Sequence, residues 1–260
     1  MIQAYTATPM PVQYLRALTA PERNRRANLH LGVSLAFVAG ATNAGGFLAV
    51  HEYTSHMTGV VSSMADTLAL GQVMAAIDWF SSLVAFVLGA ATSAVLINWG
   101  RQRQVRQVFA LPLLLEALLL LAFGLLGAAH HLIGTSMAAT VSLLCFVMGL
   151  QNAMVTKVSH AEIRTTHITG LVTDIGIELG KLLYWNAEHT APEHKVRVNV
   201  QRLRMHCLLV CAFFVGGLLG ALGFKHLGYV ATVPLALMLA LMASPQFLPE
   251  HIGKSGRSHA

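Results

Sequence analysis

The side chains with chemistry to offer come in two matched sets. Asn43 precedes Thr54-Ser55-His56-Met57-Thr58-Gly59, and Asn152 precedes Thr165-Thr166-His167-Ile168-Thr169-Gly170. Each asparagine follows a glycine by three residues (Gly40, Gly149) and is followed by alanine (Ala44, Ala153). The asparagines lie 109 residues apart and the histidines 111. A side-chain amide both donates and accepts, so two of them could bind a polar ligand or hold an unwound helix break. An imidazole titrates near neutral pH and could gate, relay a proton or ligate a metal. Asn43, His56, Thr58, Gly59, Asn152, His167, Thr169 and Gly170 are therefore the candidate substrate-binding residues. The competing use of the asparagines is interhelical hydrogen bonding that serves packing alone.

Four acids are candidates for ion coupling. Glu116 sits in the middle of the apolar run LPLLLEALLLLAF. An ionised carboxylate at that depth is costly, so it should face the protein interior, find a partner or stay protonated. Asp66, Asp174 and Glu178 follow the two Thr-Gly elements. They could line an ion path or sit solvated on surface helices. Asp78, beside Trp79, reads as an ordinary interfacial acid.

Other chemistries are weakly supported. His51, Glu52 and His56 cluster in sequence, as do His160, Glu162 and His167, but neither spacing matches a zinc motif. A hydrogen bond from each His at a helix entry is the preferred use. Cys145, Cys207 and Cys211 all lie in apolar runs, where a thiol acts as a small hydrophobe. No Gly-x-Ser-x-Gly, His-Glu-x-x-His or Walker A motif occurs. We therefore expect no catalytic residue, no metal, no cofactor and no enzymatic activity. Arg164 could clamp an anion, but the first set has no basic counterpart, and a topology charge is the simpler reading.

The elements that carry these residues belong in a bilayer. The chain is 55% hydrophobic and 11% charged, against about 25% charged in soluble domains. Six apolar spans are predicted near 31–50, 77–98, 108–127, 136–156, 206–223 and 229–247. Each is long enough to cross roughly 30 Å of hydrocarbon as a helix. The expected fold is all-α: a polytopic membrane protein with about six transmembrane helices. A cytoplasmic tail (1–29) precedes a single transmembrane domain (30–248), and a second cytoplasmic tail (249–260) follows. Residues 1–29 lack an apolar core and carry Arg16, Arg23, Arg25 and Arg26, so they do not read as a cleavable signal.

With the N-terminus inside, 16 of the 17 basic residues fall on the cytoplasmic side and only Lys225 falls outside. That is a positive-inside pattern. It assigns the net charge of +6 to topology and lipid headgroups, not to nucleic acid. The expected location is a bacterial inner membrane, with both termini cytoplasmic.

Three spans per half is an odd number, so repeat 1 (about 30–128) and repeat 2 (about 136–248) should be inverted. Residues 60–72 and 171–184 are moderately apolar and short for a span, which suits re-entrant or interfacial helices. Thr58 and Thr169 are the expected N-caps. The Gly-x-x-x-Gly spacings at 176/180 and 216/220 could serve packing within the chain or a homodimer.

The stretch GLQNAMVTKVSHAEIRTTHITGLVTDIGIELGK at 149–181, with the paired Gly-x-x-Asn-Ala and His-x-Thr-Gly elements, resembles the YoaK family. These are bacterial membrane proteins with a domain of unknown function and usually six spans. The resemblance covers roughly residues 30–247 and implies the topology but no activity. In that family Asp is common at the position of Asn43, and Asn commonly follows the glycine where this chain has Val60.

Three function classes follow. The leading one is a small secondary transporter or channel for an ion or small polar metabolite, with its site at the repeat interface. A non-transporting scaffold, docking a partner through 185–204, is the second. An intramembrane enzyme is the third.

Overall fold

The computed structural model describes residues 25–50, 52–105, 107–129, 137–158, 165–186 and 191–244. The two tails, His51, Arg106, His160, Glu162 and Arg164 lie outside the described residues, apart from the end of the N-terminal tail. The helices are α1 (Arg25–Val50), α2 (Met57–Ala69), α3 (Val73–Gln102), α4 (Ala110–Ala128), α5 (Met137–Val158), α6 (Ile168–Leu183), α7 (Val200–Leu227) and α8 (Thr232–Ala243). Single 3-10 turns occupy Pro192–His194 and Gly228–Ala231. Among the described residues every regular element is helical, as expected of an all-α chain.

Five stretches are long and apolar enough to cross a membrane: Asn28–Leu48, Val73–Gln102, Ala110–Ala128, Ala138–Lys157 and Val200–Ala243. The first four match predicted spans. The fifth, 44 residues long, holds the last two together, because no polar loop parts them. A straight helix of that length would reach about 66 Å, twice the hydrocarbon thickness. Gly228 breaks it, with φ of +59°, a backbone angle that glycine adopts freely. Tyr229 and Thr232 then sit against Gly127 and Gly124, near the end of α4. From there α8 packs along α4, so the two run antiparallel.

The other long helices pair through glycines. α1 packs along α7: a Cβ on Gly40 would collide with the Phe213 carbonyl, and one on Gly216 with the Phe37 carbonyl. α3 packs along α5 in the same way, Gly89 against the Phe146 carbonyl and Gly149 against that of Phe86. Ser81 and Ser142 hydroxyls meet at 3.3 Å, and Lys157 Nζ donates to Asn98 Oδ1 at 2.9 Å. Along α1 and α7, Ala41 meets Gly220 and Gly45 meets Phe224, and along α3 and α5 the Ser81–Ser142 and Asn98–Lys157 contacts likewise rise together, so each pair is parallel. Close backbone approach over small residues is how helices associate where lipid removes the hydrophobic drive. Gly216 and Gly220 thus serve packing within the chain, whereas Gly176 and Gly180 face nothing.

A backbone carbonyl cannot turn aside as a side chain can. Gly149→Ala is therefore expected to destabilise the protein by about 1–3 kcal/mol, the range for overpacking. Thermal unfolding in detergent measures it. An unchanged midpoint would mean that α3 and α5 separate there without cost.

The interior falls into two clusters. One joins Leu35, Phe109, Leu113, Met154, Leu209 and Leu239 with their neighbours. The smaller joins Phe123, Leu144, Cys145 and Phe224, with Tyr229 edge-on to Phe123 at 5.7 Å.

Candidate functional site

The two repeated motifs fold alike and meet. In the first, Asn43 on α1 holds the chain before α2: its Oδ1 accepts from Ser55 N at 3.3 Å and Ser55 Oγ at 2.9 Å. In the second, Asn152 on α5 holds the chain before α6, accepting from Thr166 Oγ1 at 2.6 Å. Asn152 also donates from Nδ2 to its own helix, at Met148 O. The preceding threonines, Thr54 and Thr165, are buried. The asparagines therefore tie a loop to a helix, whereas the packing reading expected bonds between helices. They also line the cavity described below.

The N-caps differ from expectation. Thr58 and Thr169 are the second residues of α2 and α6, and the caps are His56 (φ −95°, ψ 71°) and His167 (φ −85°, ψ 58°). The reason lies in the backbone. Each histidine leaves the helical region, while its carbonyl accepts the first helical N–H, from Val60 and Leu171, at 3.1 Å each. Neither imidazole makes the expected capping hydrogen bond. Each ring instead lies over the glycine three residues on, so that a Cβ on Gly59 or Gly170 would collide with it. This accounts for the His-x-Thr-Gly spacing.

One partly open cavity of about 820 Å³ collects both motifs. From the first half it is lined by Asn43, Tyr53, Ser55, His56, Met57, Thr58 and Phe86. From the second it is lined by Asn152, Thr156, Thr166, His167, Ile168, Thr169 and Phe213. Six of the eight candidate binding residues are thus in its wall, and Gly59 and Gly170 are next in sequence to it. The N-terminal ends of α2 and α6 both open into this space. Among the described residues no Asp, Glu, Lys or Arg lines it.

Reading the residues alone missed Tyr53, Thr156, Phe86 and Phe213. A signal for the last two existed. Phe-x-x-Gly occurs in all four paired helices, at 37–40, 86–89, 146–149 and 213–216, and these are the residues at the helix crossings.

The four acids lie outside the cavity wall. Asp66 is exposed on α2. Glu116 is 1% exposed on α4, and its Oε2 has no hydrogen-bond partner among the described residues. Asp174 and Glu178 clamp α6 to the start of α7. Asp174 Oδ2 is 3.2 Å from Arg202 Nη2 and 3.8 Å from His206 Nε2. Glu178 accepts from Lys181 Nζ at 2.8 Å and Asn199 N at 2.7 Å.

The hydrogen bond from Lys181, then that from Asn199 N–H, hold the Glu178 carboxyl below its ordinary range. A lowered folded value means stability that is present above the unfolded value, about 4.3, and lost as pH falls through the folded one. The α6 contact should therefore loosen on acidification below about pH 4.3. Amide exchange over 168–183 should rise there, and Glu178→Gln should remove that pH dependence. Equal pH dependence in the variant would exclude Glu178 as its source.

Fold and site together define a multi-pass membrane protein with a cavity lined by both halves of its chain. The chain belongs to the DUF1275 family, described as protein of unknown function, whose pattern matches residues 31–244. That range covers both motifs and every residue lining the cavity. No curated protein and no solved structure matches the chain.

Proposed function

We propose that this protein is a small secondary transporter or channel for an ion or small polar metabolite, with its binding site in the cavity between two inverted repeats. The observation that carries the reading is convergence. Two motifs 109 residues apart in sequence contribute the same residue types to one cavity. Inverted-repeat transporters bind substrate at their repeat interface, between short helices whose N-termini face it.

The pairing of the long helices supports the inverted repeat. The first helix of each half packs along the second long helix of the other, with the same glycine-on-carbonyl contacts. The third helices, α4 and α8, pack on each other. An exchange of halves carries Gly40–Phe213 onto Gly149–Phe86, and Phe37–Gly216 onto Phe146–Gly89. In this reading α2 and α6 are re-entrant helices entering from opposite faces, and alternating access rocks one half against the other. The protein sits in a bacterial inner membrane with both termini cytoplasmic, as the basic residues argue. It is not an enzyme, and Glu116 supplies the coupling charge. Uptake of labelled solutes into proteoliposomes tests the reading: saturable uptake supports it, and the absence of uptake for every solute class rejects it.

A further inference from the structure

We infer that the cavity binds a small anion through an oxyanion group, a carboxylate or an inorganic oxyanion, in preference to a cation or a neutral solute. This rests on reading the cavity as the transport site. Two independent observations carry it.

The first is the supply of free backbone donors. The opening N–H groups of a helix have no partner within it. Here those of Met57, Thr58 and Gly59, and of Ile168, Thr169 and Gly170, find no acceptor among the described residues. Neither cap side chain supplies one. Two positive dipole ends therefore face one space.

The second is a side chain. Asn43 is 8% exposed and lines the cavity. Its oxygen is identified by Ser55 N–H, which can only donate. That leaves Nδ2 as a donor with no partner among the described residues. Acceptors are in the opposite condition: Asn43 Oδ1 and Asn152 Oδ1 already accept from Ser55 and Thr166. No carboxylate among the described residues lines the wall. A cation would meet amide oxygens that already accept and two like-signed dipole ends, whereas an oxyanion would meet free N–H groups. The cavity exceeds a bare ion, and Phe86 and Phe213 could cover a short organic body.

The test uses the full-length protein in proteoliposomes and in detergent. Probes are labelled phosphate, sulfate, acetate and succinate as sodium salts, with potassium chloride and glycerol as contrasts. Two variants accompany the native chain. Asn43→Asp keeps an oxygen for Ser55 but replaces the free NH2 by a second oxygen. Met57→Pro removes one N–H at the first helical position, where proline is tolerated. Uptake or thermal stabilisation by an oxyanion is expected, and whether phosphate and sulfate or acetate and succinate act identifies the source. Each variant should weaken that anion about tenfold, the effect of one charge-assisted hydrogen bond. If Asn43→Asp does not fold, Met57→Pro carries the test alone. Uptake of potassium or glycerol without any oxyanion overturns the anion class and leaves the transport reading standing. An oxyanion that acts equally on folded variants overturns this site. No uptake and no stabilisation by any probe overturns the transport reading together with this inference.

Discussion

The double substitution Asn43→Ala, Asn152→Ala is expected to weaken ligand binding and flux far more than it weakens insertion and folding. Each asparagine ties the segment before a short helix to a long one, through Ser55 in one half and Thr166 in the other. Losing such a bond costs about 0.5–1.5 kcal/mol, and the Ser55 and Thr166 donors left behind are only partly buried. Two such losses, about 1–3 kcal/mol together, would lower the population of the cavity-lining conformation by roughly 5–150-fold, and apparent affinity falls with that population. The long-helix pairs rest on glycine contacts elsewhere and should survive. Binding by thermal shift and membrane insertion by fractionation are measured on the same preparation. If insertion fails while the residual folded fraction still binds, the asparagines serve packing alone.

Glu116→Gln should spare the fold and remove flux driven by a pH gradient, while counterflow exchange at constant pH continues. The residue is buried on α4, which packs against α5, the helix of Asn152, and against α8. Its Oε2 has no partner among the described residues, and an unsatisfied polar atom in that setting is a standing cost to stability. A side chain kept there for packing alone would do better as leucine. Glutamine keeps the shape and a donor but cannot release a proton. Because Glu116 is not in the cavity wall, its effect must pass through the α4–α5 contact. The measurement is uptake with and without an imposed pH gradient. Unchanged gradient-driven uptake in the variant would remove Glu116 from the mechanism.

Much of the architecture was legible from residues because lipid imposes long apolar runs and leaves polar residues conspicuous. The spans and both short helices emerge that way, and so does the importance of the doubled Asn and His-x-Thr-Gly elements. What escaped depends on backbone geometry. Threonine is the better N-cap by propensity, yet the histidines occupy the cap because their rings need the bare face of Gly59 and Gly170. The two spans of the second half's end merge into one apolar stretch because Gly228 turns the chain without any polar loop. Asp174 and Glu178 looked like a counterpart to Asp66, but their partners Arg202, Lys181 and Asn199 sit at positions no short motif connects. Phe86 and Phe213 reach the cavity only through the crossing of helices, a property of pairs that a single span does not display.

The central claim is that the two motifs face one cavity. It is tested most directly by placing single cysteines at positions 56 and 167, His56→Cys and His167→Cys, after replacing Cys145, Cys207 and Cys211 by serine or alanine. Labelling by a membrane-impermeant thiol reagent is then read from each side of the membrane, with and without the anion that stabilises the protein. The account predicts that both positions are reached through a common opening, from the same side in a given state, and that one ligand protects both. Labelling of position 56 only from one side and position 167 only from the other, with no ligand protecting either, would contradict it. The motifs would then be two separate surface elements.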